Sequence, residues 1–338
     1  MDPRRDMCAV PEISEHSKVT VGIVTFNSSD HIVACLESVA EKLSDASPTV
    51  FVLDNASTDD TVSKVKSIRK KYKYALNLLT ETRNHGYAYG VNRIAELART
   101  DWLCLINPDA ELLTEPFEAA RIMSKKVPTC GVLGGIITDN DGNPQECGGV
   151  FPSPLMAVWD WCGLRHILPL KNWSTTLKWD LKEDESAARI DYPTGAFWIF
   201  RREVYQRVGP FDERFFLYFE ETDFCRRAKE KGWPSFIIPS VRIRHARGAS
   251  IQSLTNGRST PMDPLAIYFE SLFKYLDKHF APWRVNMAVS MINSFLKART
   301  WLRKDDKSTL ILETFTKGLQ KAREYVVEKM EAEKKVPG

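Results

Sequence analysis

Five side chains in this chain of 338 residues combine a reactive type with an informative position: Asp54, Asp109, the neighbours Glu220 and Glu221, and His245. Asp109 closes Asn107-Pro108-Asp109, directly after the apolar run Trp102-Leu103-Cys104-Leu105-Ile106. The run alone fits a buried strand or a buried helix, and the proline after it favours a strand that stops. Ligands of open α/β sheets bind at the carboxyl ends of strands. A carboxylate placed there can hold a divalent metal through hard oxygen ligands, or it can cap the helix that starts near Pro116. Glu220-Glu221 follows the aromatic run Phe215-Phe216-Leu217-Tyr218-Phe219, which would exclude water from a pair that elsewhere reads as a solvated helix start. His245 follows a short strand, where a lone histidine is usually structural.

The elements that must position these groups follow from hydrophobic periodicity. Residues 19–26 form an apolar, β-branched strand, closed by the helix-starting residues Asn27-Ser28-Ser29-Asp30. Ile32, Leu36, Val39, Ala40 and Leu43 then recur at helical spacing. Residues 49–53 form a second strand, and Ser57 with Asp60 resembles a capping box opening a helix through Val62, Val65, Ile68 and Tyr72. A short strand at 76–79, the turn Arg83-Asn84-His85-Gly86-Tyr87 and a helix through Val91, Ile94 and Leu97 lead into the strand before Asn107. This alternation predicts right-handed crossovers and a mostly parallel sheet. Thr25, Asp54, Arg83 with Asn84, and Asp109 then end successive strands and converge on one sheet edge.

Beyond residue 110 the pattern loosens. Strands are predicted at 131–137 and 192–200, with short ones at 235–238 and 241–243, and a hairpin turn at Asp141-Gly142. A helix through Phe224, Ala228 and Lys231 ends at Gly232. Residues 151–190, rich in Trp and Pro, read as an irregular loop region that contacts substrate. The chain reads as helical after Pro261.

Composition narrows the function class. The formal charge is only +3, and residues 261–338 carry 14 Lys/Arg against 10 Asp/Glu while the remainder holds 33 against 34. A near-neutral chain of this kind gives no reason to expect a nucleic-acid partner. The seven cysteines are odd in number, form no Cys-x-x-Cys pair, and in several cases sit in apolar segments, which favours free thiols in a reducing cytosol. Residues 1–17 are polar, read as a flexible N-terminus, and show no signal-peptide pattern. No apolar run reaches the roughly 18–20 residues that span a bilayer. No Gly-x-Gly-x-x-Gly follows the first strand, and no Walker A or Gly-x-Ser-x-Gly sequence occurs.

Taken together, Gly22-Ile23-Val24-Thr25-Phe26-Asn27, Leu53-Asp54-Asn55-Ala56-Ser57-Thr58-Asp59, Asn84-His85-Gly86-Tyr87, Asn107-Pro108-Asp109, Phe211-Asp212-Glu213-Arg214-Phe215-Phe216 and Tyr218-Phe219-Glu220-Glu221-Thr222-Asp223 resemble family 2 glycosyltransferases of the GT-A fold. More narrowly, the chain is similar to the rhamnosyltransferase branch that builds bacterial cell-surface polysaccharides. The resemblance covers about residues 18–260. It implies an α/β, Rossmann-like GT-A fold, a dTDP- or UDP-sugar donor, Mg²⁺ or Mn²⁺, and inverting transfer to a hydroxyl of a glycan or polyprenyl-diphosphate-linked acceptor.

Carried over residue by residue, the resemblance implies donor-nucleotide contacts from Thr25, Asn27, Asp54, Arg83, Asn84, Gly86, Asn107 and Asp109. Asp54 would accept a hydrogen bond from a uracil or thymine N3–H, cap the following helix, or do both. Asp109 and His245, in Arg244-His245-Ala246-Arg247-Gly248-Ala249-Ser250, would hold the metal. Asn107 stands where other branches often have Asp, leaving that site with less negative charge. Glu221, where the family usually has Asp, would be the catalytic base, with Glu220 in reserve. Thr194, Gly195, Trp198 and Asp223 would lie near the donor sugar and acceptor; Asp223, with Arg226, would orient the acidic segment, and Trp198 suits the core equally well.

The expected organisation is a flexible segment 1–17, a transferase domain 18–260 divided into a nucleotide-binding half, 18–110, and an acceptor and catalytic half, 111–260, and a helical extension 261–338. In the extension, Val285, Ala288, Val289, Ile292 and Phe295 share one helical face, continuing to Trp301 and Leu302, with Lys297, Arg299, Arg303 and Lys304 near its end. Such a helix can lie on a membrane, pack on the catalytic domain, or join a second copy in a homodimer. The expected location is the cytoplasm, at the inner face of the membrane if the helix binds there. Competing readings are a UDP-hexose transferase, a sugar nucleotidyltransferase, disfavoured by the absence of a Gly-rich, Arg-containing loop after the first strand, and a catalytically silent subunit that binds sugar nucleotide.

Overall fold

The apolar runs of the first third form the strands β1 (Val19–Thr25), β2 (Thr49–Asp54), β3 (Leu76–Thr80) and β4 (Trp102–Ile106), linked by α1 (Ile32–Lys42), α2 (Thr61–Arg69) and α3 (Tyr87–Leu97). This computed structural model describes residues 18–69, 72, 75–162, 164, 177–178, 186–246 and 263–334. The expected flexible segment 1–17, most of the span 163–185, and residues 247–250 of the His245 motif lie outside the described residues. β3, β2, β1 and β4 are neighbours in that order, and all three pairings are parallel. β1, β2 and β4 are buried along their whole length. That is why their sequences read as continuous apolar runs rather than alternating ones.

The second half turns the sheet mixed. It adds β5 (Ala110–Leu112), α4 (Phe117–Lys126), β6 (Leu133–Thr138), β7 (Glu146–Gly149), α5 (Pro154–Trp161), β8 (Leu177–Lys178), β9 (Ala188–Ile190), β10 (Tyr192–Pro193), β11 (Phe197–Arg201), α6 (Arg202–Val208), α7 (Glu220–Glu230) and β12 (Ser235–His245). β11 pairs antiparallel with β4, and the path continues β11-β6-β12-β5. β10, β7 and β8 form a small second sheet. One face of the main sheet packs on Ile32, Leu36 and Val39 of α1, Val65 of α2, and Phe117 and Met123 of α4. The other packs on Val91 and Ile94 of α3, Val204 of α6, and Phe224 and Ala228 of α7. The result is a helix–sheet–helix sandwich, the GT-A architecture.

Several local expectations need correction. The single strand expected at 192–200 is two strands in different sheets, with Thr194, Gly195 and Ala196 between them. The two short strands at 235–243 are one strand with an irregularity between Ile238 and Arg242. The stretch after 151 is not wholly irregular, because α5 starts at Pro154 behind Ser153, whose hydroxyl accepts from Met156 N at 3.2 Å. A serine N-cap followed by proline is a helix-start signal, and the density of Trp and Pro around it masked the short helix. The capping box at Ser57 and Asp60 does not form. Asp59 instead accepts from Thr61 N at 3.0 Å where α2 begins, and Ser57 turns back to Asp54.

After residue 263 come α8 (Pro264–His279), α9 (Pro282–Arg303) and α10 (Asp306–Lys334). Phe269, Leu272 and Phe273 of α8, Val285, Ala288, Val289, Ile292 and Leu296 of α9, and Phe315 of α10 share a core with Ala157 and Val158 of α5 and with Phe215 and Phe219. The inner face of α9 therefore packs back on the rest of the chain. Phe295 does not belong to that face: it is exposed, and Leu296 fills the buried position. Among the described residues no helix is long and apolar enough to cross a membrane, and the six cysteines are free.

Candidate active site

Strand register brings the first charged pair together. β5 begins one residue after Asp109, and it pairs antiparallel with the end of β12 so that Ala110 faces His245. Ala246 N also donates to Asp109 O at 3.0 Å, locking the two chain ends side by side. The consequence is a separation of 3.4 Å between His245 Nε2 and Asp109 Oδ1. Both side chains line a cleft of about 670 Å³, together with Thr25, Asn55, Asn84, Gly86, Asn107, Thr194, Gly195, Glu220 and Glu221. That volume falls in the range of about 300–1,000 Å³ common for small-molecule sites.

The acidic pair is delivered by a strained turn. Tyr218 and Phe219 both have left-handed backbones, with φ of 68° and 67°, and α7 starts immediately afterwards at Glu220. Left-handed conformations in residues with side chains cost on the order of 1–3 kcal/mol each and persist only when their surroundings hold them. Here α8 supplies the hold. Ser271 Oγ donates to Leu217 O at 2.8 Å, Lys274 Nζ donates to Arg214 O at 2.9 Å, and the Phe219 ring lies 5.3 Å from Tyr268 and 5.6 Å from Tyr275. On the opposite side Tyr87 N, at the start of α3, donates to Phe216 O at 3.0 Å. Gly86 permits this approach: its φ is +90°, and a Cβ there would stand 2.5 Å from Phe216 O.

Electrostatics mark the same two glutamates. Burial, reinforced by the charge of Glu221, pushes the Glu220 carboxyl well above the usual carboxylate range. Burial also raises Glu221 to about 7, partly offset by hydrogen bonds from backbone N–H groups at the start of α7. Glu220 Oε2, Glu221 Oε2 and Thr25 Oγ1 are buried oxygens with no hydrogen-bond partner among the described residues. Buried polar atoms are nearly always paired, so three orphans on one cleft are the mark of a site that expects a polar ligand.

Among the described residues no group of three or more His, Cys, Asp or Glu side chains could hold a metal ion. Mg²⁺ ordinarily takes only one or two protein ligands, completed by substrate phosphates and water, and neighbouring octahedral ligands at about 2.1 Å from the ion stand about 3 Å apart. A carboxylate oxygen and an imidazole nitrogen 3.4 Å apart on the cleft wall fit that pattern.

Comparison with known proteins identifies the chain's relatives. The family model described as glycosyl transferase family 2 matches residues 20–209, and that described as glycosyltransferase like family 2 matches residues 169–259. The chain belongs to glycosyltransferase family 2. It is 28% identical over 315 residues to N-acetylglucosaminyl-diphospho-decaprenol L-rhamnosyltransferase of Mycobacterium tuberculosis, a match covering 86% of this chain and 95% of that one. Among solved structures, GalNAc-T7 with UDP, GalNAc and Mn²⁺ superposes with a TM-score of 0.56 at 13% identity, over 94% of this chain and 58% of that one. The mannosyltransferase PcManGT of Pyrobaculum calidifontis, in complex with GDP-Man and Mn²⁺, gives a TM-score of 0.52 at 17% identity, over 93% of this chain and 89% of that one. At these identities the structural likeness is one of fold.

Not every residue expected at the site of this glycosyltransferase reaches the cleft. Asp54 is buried, and it bonds back to Ser57, accepting from Ser57 Oγ at 2.5 Å and Ser57 N at 2.9 Å. It orders the turn after β2 and is not the cap of α2, which starts seven residues on. Asn27, also off the cleft surface, ties the same turn to the end of β1 by accepting from Thr58 N at 2.8 Å. Arg83 is exposed, and its Nε lies 3.4 Å from His85 Nε2. Trp198 lies in the core, with its indole N–H donating to Thr194 O at 2.9 Å and its ring packed edge-on or tilted against Phe200, Phe211 and Phe224.

Asp223 does not lie near the donor sugar or acceptor, but it does orient the acidic segment by ion pairing. It is fully buried away from the cleft, and it meets Arg227 at 2.8 Å, Lys278 at 2.6 Å and His279 at 2.8 Å. Burial alone would raise its carboxyl, but His279 and the charges of Arg227 and Lys278 hold it below the usual range. Asp223 thus clasps α7 to the end of α8. Its spacing explains this, because residue 223 is rotated roughly 200° around the helix from Glu221.

Other lining residues carried too little signal to be singled out in sequence. Asn55 lines the cleft and donates from Nδ2 to Gly86 O at 3.1 Å. It follows Asp54 directly, so its exit from the strand end was the available clue. Glu146 and Tyr192 reach the cleft from the small sheet, and Tyr268 reaches it from α8. No motif predicted those, since their position depends on how distant segments pack.

Proposed function

We propose that this family 2 glycosyltransferase is an inverting, metal-dependent enzyme that moves L-rhamnose from dTDP-rhamnose to a polyprenyl-diphosphate-linked or growing polysaccharide acceptor. The observation that carries the reading is the pairing, in one cleft, of Asp109 and His245 with the buried Glu220 and the half-buried Glu221. The sugar and acceptor assignments lean on the relative from Mycobacterium tuberculosis, which spans most of both chains.

In this reading residues 18–110 hold the nucleotide, 111–260 the sugar and acceptor, and the helices after 263 brace the acidic turn. Thr25, Asn84, Gly86 and Asn107 line the nucleotide end of the cleft, and Asn55 holds the turn that carries Gly86. Asp54 acts from behind that surface by shaping the turn that presents Asn55. Thr194 and Gly195 underlie the donor sugar, where Gly195 leaves open space, since a Cβ there would meet nothing within 4 Å among the described residues. Asp109 and His245 would hold Mg²⁺ or Mn²⁺, which when bound would neutralise charge developing on the departing diphosphate.

Glu221 takes the proton from the acceptor hydroxyl as that oxygen attacks the anomeric carbon. A base serves best when its pKa lies near the working pH, and burial places Glu221 at about 7. Glu220, held more strongly protonated, keeps a second full negative charge out of the pocket. A single displacement with one base reverses the anomeric configuration.

The test is transfer from dTDP-rhamnose, UDP-glucose and UDP-galactose to a lipid-diphosphate-linked acceptor, with the product anomer read by NMR. Preference for dTDP-rhamnose with inverted configuration supports the proposal. Preference for a UDP-hexose would move the chain to the alternative donor class, and turnover insensitive to both EDTA and Glu221→Gln would remove the mechanism.

A further inference from the structure

Helix α9 is apolar on two sides, and among the described residues only one of them is covered. At about 100° per residue, the buried Val285, Ala288, Val289, Ile292 and Leu296 span one arc of roughly 100°. Trp283, Met287, Met291, Phe295, Trp301 and Leu302 fall on a second arc of roughly 120° beside it. These six are exposed, with Trp283 at 63%, Trp301 at 73% and Leu302 at 71% of full exposure. Isolated exposed apolar residues are ordinary, but six large ones along one stripe of one helix mark an interaction surface.

Charge identifies the partner. From Arg284 to Lys304 the chain carries five Lys/Arg residues and no Asp or Glu. Arg284 lies within the stripe, its guanidinium 5.3 Å from the Trp283 ring centre. Lys297 and Lys304 are exposed and stand beside the stripe toward its other end. A second copy docked stripe to stripe about a two-fold axis would bring like charges together at a desolvated seam. An anionic lipid surface meets both properties at once, taking aromatic and aliphatic side chains into the headgroup boundary and basic ones against the phosphates. Trp283 and Trp301 stand 18 residues apart in sequence, or about 27 Å along the helix, so the stripe would lie flat in the interface rather than insert end-on.

We infer that the outer face of α9 docks this enzyme on an anionic membrane surface. The inference rests on the helix alone and does not require the donor, acceptor or base assignments above.

The experiment is flotation of the full chain with vesicles of phosphatidylcholine plus phosphatidylglycerol, and with phosphatidylcholine alone. Binding should favour the anionic vesicles, fall as salt is raised, and drop roughly tenfold or more in the Trp283→Ser, Trp301→Ser double variant. Arg284→Glu with Lys297→Glu should remove most of the preference for anionic vesicles while leaving the melting temperature unchanged, because both side chains are exposed. Absence of vesicle binding by a folded wild-type chain would overturn the inference. So would a dimer, seen by sedimentation, that the tryptophan substitutions dissociate without altering flotation. Transfer to a soluble acceptor analogue is measured in parallel, so that failure to bind vesicles is distinguishable from failure of the catalytic proposal.

Discussion

His245 and Ala110 are cross-strand partners, and that one register sets His245 Nε2 3.4 Å from Asp109 Oδ1 although 136 positions separate the two in sequence. A shift of one residue in the pairing would turn His245 to the other face of the strand. The pairing of β5 with β12 is therefore as necessary to the proposed metal site as the side chains themselves.

Asp109→Asn and His245→Ala should each leave the protein folded and weaken metal-dependent turnover. Loss of one electrostatic partner of a developing charge costs on the order of 10²–10³-fold in kcat. His245→Ala should also raise the Mg²⁺ concentration needed for half-maximal activity. Titration of activity with Mg²⁺ after EDTA treatment checks both outcomes, and undiminished turnover in Asp109→Asn would contradict the assignment.

Glu221→Gln should lower kcat by about 10²–10⁴-fold, the usual contribution of a positioned base. The base must be ionised to act, and burial sets its carboxyl at about 7. In the wild type, kcat/KM should therefore rise with pH and level off above about 7. The same limb should be missing from the residual activity of Glu221→Gln.

Stability should move the opposite way. An unfolded glutamate titrates near 4.3, while burial lifts folded Glu221 to about 7. The protonated form stabilises the fold at low pH, and that contribution is lost as pH climbs from the unfolded value through the folded one. Glu221→Gln should thus melt higher than wild type at pH 8, by on the order of 1–3 kcal/mol, with a much smaller difference at pH 4. Calorimetry at the two pH values decides this, and equal melting shifts at both would count against a buried, ligand-seeking carboxyl.

Asp223→Ala should destabilise the protein without touching the cleft directly. It leaves Arg227, Lys278 and His279 around an empty position, and breaking a buried ion pair by removing one partner costs about 3–5 kcal/mol. Because the folded carboxyl titrates below its unfolded value, the wild-type contribution is present above about 3.9 and is lost as pH falls through the folded pKa. Denaturant midpoints at pH 7 and pH 3 should therefore converge between wild type and variant in acid. A drop in kcat larger than the loss of folded protein would show that the clasp on α8 also steadies Glu221.

What could be read from the chain alone was whatever depends on local pattern. Fully buried parallel strands need continuous apolar runs, so β1, β2 and β4 were legible nearly to the residue, and the motifs that end them carried the family resemblance. Local pattern failed at the break between β10 and β11, which answers to distant partners β7 and β4, and it misread two local signals, the Ser153-Pro154 start of α5 and the turn of Ser57 onto Asp54. The tertiary structure decided which of the marked residues share a cleft. Orientation around α7 sends Glu221 inward and Asp223 toward α8, and register sets His245 beside Asp109. Packing of α8 over a left-handed turn holds the acidic pair in place. Each of these depends on contacts between segments tens to hundreds of residues apart, which no window of sequence contains.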